Sequence, residues 1–343
     1  MNTRTVEPGL VSVVTPCYNA REFVADAVRS IQAQTYAPVE HIVVDDGSRD
    51  GSWEVVRSFG EPVRGLRLDR NMGGSHARNV GFGVARGEFV MFLDADDTLA
   101  PDTLAALVAA LSTGGDIAAC PWRRLILTPD GWRQKYPDVA PPRPGDDYLR
   151  RWLEGDWIPP CALLWKRQAY ETTGGWDEEL RANQDGDLML RALAGGLRLV
   201  AASGGIAFYR DHGRLAGTVG SDLADVRKLQ SRVRVLERLT DTLEKAGTLK
   251  RYRRPLGVAY HRLALLGLAA NPELSRVCLE RGRMYAGPLD VSRTLPGRIV
   301  GRLLGMERKE QLALWLARLG LATAARRHVL ERARFRKTMG FND

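Results

Sequence analysis

"LVSVVTPCYNAREFVADAVRSIQAQTYAPVEHIVVDD" (residues 10–46) decides the fold. Residues 10–15 form a continuous apolar, β-branched run, the pattern of a strand covered on both faces. Residues 21–34 return apolar side chains at helical spacing, and 40–46 revert to a strand-like run. The alternation continues with a short helix over 50–58, a strand in "GLRLD" (65–69), a helix over 74–86 and a strand in "EFVMFLD" (88–94). Strands alternating with helices predict an α/β fold, a Rossmann-like, mostly parallel sheet with helices on both faces. In such sheets ligands bind beyond the carboxyl ends of the strands.

Polar residues collect at those ends. They are Thr15-Pro16-Cys17-Tyr18-Asn19, Asp45-Asp46-Gly47-Ser48, Asp69-Arg70-Asn71 and Asp94-Ala95-Asp96-Asp97. One such cluster reads as a helix cap, whereas four on one rim predict a site. Asp94, Asp96 and Asp97 stand out, because neighbouring carboxylates disfavour each other's ionisation. Two familiar phosphate cradles are excluded. The first strand-to-helix turn, "TPCYNARE", has no glycine, "GFGVARG" (81–87) has the wrong spacing, and no GxxxxGK[ST] occurs. An acidic turn offsets the charge of a diphosphate through a divalent cation, Mg²⁺ or Mn²⁺, since hard cations prefer oxygen ligands.

Residues 11–52, "NMGGSHARNVGFGVARGEFVMFLDADD" (71–97) and "GGWDEELRANQDGDLMLRA" (174–192) together resemble the family 2 glycosyltransferases. The likeness covers roughly residues 8–215. It implies the GT-A fold and an inverting enzyme that takes a nucleotide diphosphate sugar, with a UDP-sugar the first choice. Carried over position by position, it assigns the donor to Thr15, Pro16, Tyr18, Asp46, Asn71, Arg78, Asp94 and Asp96. It assigns the metal to Asp96 and Asp97, with His212 of "YRDH" beside metal or diphosphate; a core or cap role suits that histidine equally. The base that deprotonates the acceptor is Asp185, in a motif where Gln184 replaces the family's glutamate; an N-cap is its alternative role. Trp176 and Asp187 are assigned to the acceptor, with a buried loop anchor as the other reading of Trp176.

Composition bounds the rest. The chain has 343 residues, 44% hydrophobic and 27% charged, longer than one average domain. Its four cysteines are scattered without metal-ligand spacing, the pattern of reduced thiols in a cytosolic protein. No h-region precedes the first strand, and "LALLGLAA" (263–270) is too short to span a bilayer, so a cytoplasmic location is expected. Residues 221–343 carry 26 Lys and Arg against 12 Asp and Glu, and their periodicity is almost purely helical. The expected organisation is therefore a catalytic domain over 1–220 and a basic helical domain over 221–343. "VRKLQSRVRVLERL", "RYRRPLGVAYHRLALLGL" and "RARFRKTMGF" either pack on the catalytic domain or lie peripherally on the anionic inner face of a membrane, near a saccharide or lipid-linked acceptor. Nucleic acid is not expected, since no recognition motif accompanies the charge. A peptide- or protein-modifying transferase and a non-catalytic sugar-nucleotide-binding scaffold are the rival functions.

Overall fold

The computed structural model describes residues 5–134, 136–141, 143, 145–212, 225–267 and 271–287. Its first half follows the expected alternation. Strand β1 (Glu7–Cys17) leads through α1 (Val24–Gln32) to β2 (Val39–Asp45), then α2 (Ser52–Ser58), β3 (Val63–Arg67), α3 (Gly74–Val84) and β4 (Gly87–Phe92). Helix α1 forms because Val24, Ala27, Val28 and Ile31 recur at helical spacing and bury one face. Strands β1, β2, β3 and β4 pair in parallel, with β1 between β2 and β4. Val11, Val13, Val14, Ile42, Val43 and Val44 are all fully buried, as continuous apolar strands require.

Glycines at 81 and 87 serve this packing. A Cβ on Gly81 would lie 2.4 Å from Val14 Cγ1 and 3.1 Å from Val44 Cγ2, so α3 approaches the sheet closely there. Gly81→Ala is expected to cost about 1–3 kcal/mol through overpacking, read from equilibrium urea unfolding. A cost below a few tenths would show that the helix backs away freely.

The remainder departs from a simple parallel sheet. After β4 come β5 (Thr98–Leu99), α4 (Thr103–Leu111), β6 (Ile117–Ala119), β7 (Trp122–Thr128), β8 (Gly131–Gln134), α5 (Tyr148–Glu154), β9 (Leu163–Lys166), α6 (Arg167–Thr172), α7 (Gln184–Ala194), β10 (Leu199–Ala201) and β11 (Ala207–Asp211). Strand β9 runs antiparallel between β4 and β6, making the seven-stranded sheet mixed, in the order β10-β6-β9-β4-β1-β2-β3. A second sheet has the order β5-β11-β7-β8. Its β7–β8 hairpin turns at Pro129-Asp130-Gly131.

The C-terminal part is helical where it is described, with α8 (Val226–Lys245), α9 (Leu249–Gly267) and α10 (Pro272–Ala286). Asn271 caps α10 by accepting the Leu274 N–H at 3.0 Å, and Pro272 fills the first turn. The basic stretch "RARFRKTMGF" (332–341) lies outside the described residues. The chain forms two compact units. Leu149–Trp157 and Leu180–Gly186 belong with the C-terminal helices in the second unit, and the other described residues up to 212 form the first.

Candidate active site

The strand-end loops of the first unit are stitched together by their own polar groups. Asn19 donates its N–H to Ser48 Oγ at 2.9 Å and accepts the Arg49 N–H at 3.0 Å. Gly47 sits at φ +73, and a Cβ there would fall 2.7 Å from the Arg70 carbonyl carbon, so the third loop closes directly over it. Asp46 is buried, and its two oxygens accept the N–H groups of Met72 at 2.7 Å and Gly73 at 2.8 Å, at the start of α3. Asp45 is buried as well, accepts the Ser48 N–H at 3.3 Å and pairs with Arg67 at 3.3 Å. Burial, the largest influence, holds its carboxyl above the usual carboxylate range.

Both carboxylates of "VVDDGS" therefore hold loops. A nucleoside would have to share Asp46 with two amides already bound. The Thr15 hydroxyl is likewise committed, lying buried 2.9 Å from His41 Nε2. Pro16 pairs in register with Val44. Tyr18, 48% exposed, and the exposed Asn71 are the candidate donor residues that face solvent.

Asp94, Asp96 and Asp97 follow β4 and do converge. One oxygen from each lies within 4.8 Å of the others, a spacing compatible with shared ligation of one cation. Cationic and neutral partners surround them. Arg78 on α3 donates to Asp94 Oδ1, and its guanidinium lies 4.4 Å from the Trp176 ring centroid. His212 Nε2 is 3.2 Å from Asp96 Oδ2, and its ring stacks on Phe23 at 4.8 Å. Asp97 is 1% exposed and accepts the Arg210 N–H at 2.9 Å through Oδ1, while Oδ2 is buried with the weakly donating Cys161 thiol as neighbour. Burial first, then the charges of Asp96 and Asp94, pushes the Asp97 carboxyl well above the usual range.

Arg210 went unread in the sequence, although it stands in the same "YRDH" as His212. Its guanidinium donates to the Asp96 carbonyl and to Asp26 Oδ2 at 2.9 Å, and lies 5.0 Å from the Trp132 ring. Antiparallel pairing of β5 with β11 delivers it. Thr98 faces Phe208, and continuing that register by two residues brings Arg210 beside Asp96.

The two residues assigned to the acceptor are both buried. Trp176 is only 4% exposed, set edge-to-face on Phe92 at 5.3 Å with Arg78 over its ring. This is the buried loop anchor that its sequence position also allowed. Asp187 is fully buried and grips Arg191 through Nε at 2.8 Å and Nη2 at 2.7 Å. Arg191 in turn donates to the carbonyls of Thr173 and Gly175, so this pair braces the glycine loop. Asp185 lies in the second unit, in the first turn of α7 rather than at its N-cap. Its Oδ2 accepts the indole N–H of Trp157.

Known proteins place this architecture. The model of "Glycosyl transferase family 2" matches residues 12–172. The amylovoran biosynthesis glycosyltransferase AmsB of Erwinia amylovora is 32% identical over 213 residues, covering 58% of this chain and 68% of AmsB. The chain belongs to glycosyl transferase family 2. A further relative, the succinoglycan biosynthesis protein ExoO of Rhizobium meliloti, is 30% identical over 225 residues, 63% of this chain and 65% of ExoO. The chain spans 39% and 34% of the length of two further relatives. The mannosyltransferase PcManGT of Pyrobaculum calidifontis, solved with GDP-Man and Mn²⁺, shares the fold. It aligns at a TM-score of 0.50 and 21% identity, covering 89% of this chain and 87% of that one. The GT-A expectation for this family 2 chain is thereby met, with the antiparallel β9 as its mixed element.

Proposed function

We propose that the protein is an inverting, metal-dependent glycosyltransferase. It moves a sugar from a nucleotide diphosphate sugar to an acceptor hydroxyl during polysaccharide or glycolipid assembly. The observation that carries this reading is the convergence of Asp94, Asp96 and Asp97 at the end of β4 in a family 2 chain. Three carboxylates within reach of one another cost stability unless a cation joins them. Their all-oxygen donor set suits Mg²⁺ or Mn²⁺, with His212 beside Asp96. When bound, the cation neutralises charge building on the departing diphosphate. The relatives named for succinoglycan and amylovoran biosynthesis support a saccharide acceptor, and a lipid-linked one is part of the proposal.

The protein's own groups do the rest. Tyr18 and Asn71 present exposed surface to the donor nucleoside. Arg78, held between Trp176 and Asp94, keeps a positive charge at the acidic rim. Asp185 takes the proton of the acceptor hydroxyl, whose oxygen bonds to the anomeric carbon as the diphosphate leaves with the bonding electron pair. No described helix is long and apolar enough to cross a membrane. Contact with an anionic surface is assigned to the basic C-terminal helices.

Thermal stability against UDP, GDP, CDP and dTDP, each with Mn²⁺ or with EDTA, tests the donor site. Ligand at about 100 times its dissociation constant adds roughly 2.7 kcal/mol, which gives a visible rise in Tm. One nucleotide should stabilise with Mn²⁺, lose that effect in EDTA, and lose it in Asp96→Ala. Equal melting under every condition would overturn the reading and make the acidic rim a structural feature.

A further inference from the structure

Arg210 on β11 is a buried cation beside the acidic cluster, its side chain 4% exposed. Desolvating a guanidinium is costly unless its donors are met, and here each of its nitrogens has a partner. Nε donates to the Asp96 carbonyl, Nη1 to Asp26 Oδ2 at 2.9 Å and Nη2 to the Phe23 carbonyl at 3.4 Å. The guanidinium carbon lies 5.0 Å from the Trp132 ring centroid and 5.7 Å from that of Phe23. The backbone N–H of Arg210 adds a further tie, to Asp97 Oδ1 at 2.9 Å. One residue thus holds the carbonyl of Asp96 and the carboxylate of Asp97, two members of the cluster. The Asp96 carbonyl belongs to the planar peptide that joins Asp96 to Asp97, so fixing it sets the direction in which both side chains leave the loop. The far side of the guanidinium is anchored on the start of α1, where Phe23 is the N-cap and Asp26 lies in the first turn. The Phe23 ring stacks in turn on His212, whose Nε2 lies 3.2 Å from Asp96 Oδ2. All of these residues belong to the first unit.

We propose that Arg210 is a positioning residue for the acidic cluster: by tying the Asp96 peptide to the start of α1 it aims Asp96 and Asp97 at one cation. This rests on the reading of the cluster as a metal site. A guanidinium only donates, so Arg210 is not itself a ligand. Charge and geometry have opposite consequences here, which lets them be told apart. As a mere charge, a guanidinium beside the cluster repels an incoming cation, and removing it would tighten metal binding. As a positioning group it keeps the carboxylates preformed, and removing it weakens binding, by roughly 10–100-fold when a ligand loses its orienting partner. Lysine separates the two effects again, because it keeps the charge and replaces the planar fork with a single nitrogen.

The test reads Mn²⁺ binding by the full chain from the loss of the free-ion electron paramagnetic resonance signal. Mn²⁺ is titrated alone and with each of UDP, GDP, CDP and dTDP in excess, and far-UV circular dichroism checks that each variant is folded. Arg210→Gln and Arg210→Lys should each raise the Mn²⁺ dissociation constant by about tenfold or more. The spectrum of the bound ion should broaden in both, as its ligands lose a single arrangement. Asp26→Ala leaves Arg210 in place and changes a half-exposed side chain, so the fold is kept. It should raise the constant by about threefold, the scale of a half-exposed ion pair. Folded Arg210→Gln that binds Mn²⁺ as tightly as wild type, or more tightly, overturns this proposal, as does wild-type affinity in Arg210→Lys. If neither Arg210 variant folds, Asp26→Ala decides, and wild-type affinity there overturns it. Failure of the wild-type chain to bind Mn²⁺ under every condition overturns instead the metal reading on which it rests.

Discussion

Asp185→Asn is expected to cut turnover by about 10²–10⁴-fold, the range for loss of a general base, while nucleotide-dependent thermal stabilisation is kept. The change is nearly isosteric. The Asn carbonyl oxygen can still accept the Trp157 indole N–H, so the local geometry that holds the side chain persists. What disappears is the oxygen able to take a proton from the acceptor, a loss equivalent to about 3–5 kcal/mol in the barrier. Initial rates of donor consumption, measured beside Tm with nucleotide and Mn²⁺, separate chemistry from binding. Wild-type turnover by the variant would remove Asp185 from the mechanism.

Acid destabilises the first unit through His41. This residue is buried on β2, with Nε2 2.9 Å from the Thr15 hydroxyl and Nδ1 lacking a hydrogen-bond partner among the described residues. Burial pushes its pKa down to about 3, from an ordinary value of 6.5. Between these values the unfolded chain binds a proton that the folded protein refuses, so stability rises with pH and is lost as pH falls from 6.5 towards 3. The slope approaches about 1.4 kcal/mol per pH unit well inside that window, and integrates to about 2 kcal/mol between pH 7 and pH 5. His41→Gln removes the titration. Urea unfolding at both pH values should show the variant losing about 2 kcal/mol less than wild type over that interval. Parallel losses in the two proteins would mean that His41 is protonated in the fold.

The sequence made the parallel core legible because strands buried on both faces leave an unbroken apolar record, and amphipathic helices leave a 3.6-residue one. Strands β1 to β4 and helices α1 to α3 lie within a few residues of their expected places. Strand β9 left no comparable mark: "LLWK" is four residues long, too short to announce a direction, and its antiparallel place between β4 and β6 comes from pairing alone. Trp176 shows the same limit at the site. A tryptophan after two glycines reads equally as a sugar platform or a loop anchor, and the Phe92 ring and the Arg78 guanidinium that make it an anchor come from distant parts of the chain.

Local chemistry was therefore written in the sequence: the acidic convergence after β4, the strand-end rim, the helical C-terminal part and the family itself. Tertiary structure alone decided who partners whom. It spent Asp46 on the amides of Met72 and Gly73, committed Asp187 to Arg191, and brought Arg210 to Asp96 through the pairing of β5 with β11. It also set Trp157 against Asp185, 28 residues further along the chain. Periodicity and turn chemistry act over a few residues and survive in a linear string. Hydrogen bonds and charge balance across long sequence separations exist only once the chain has closed on itself.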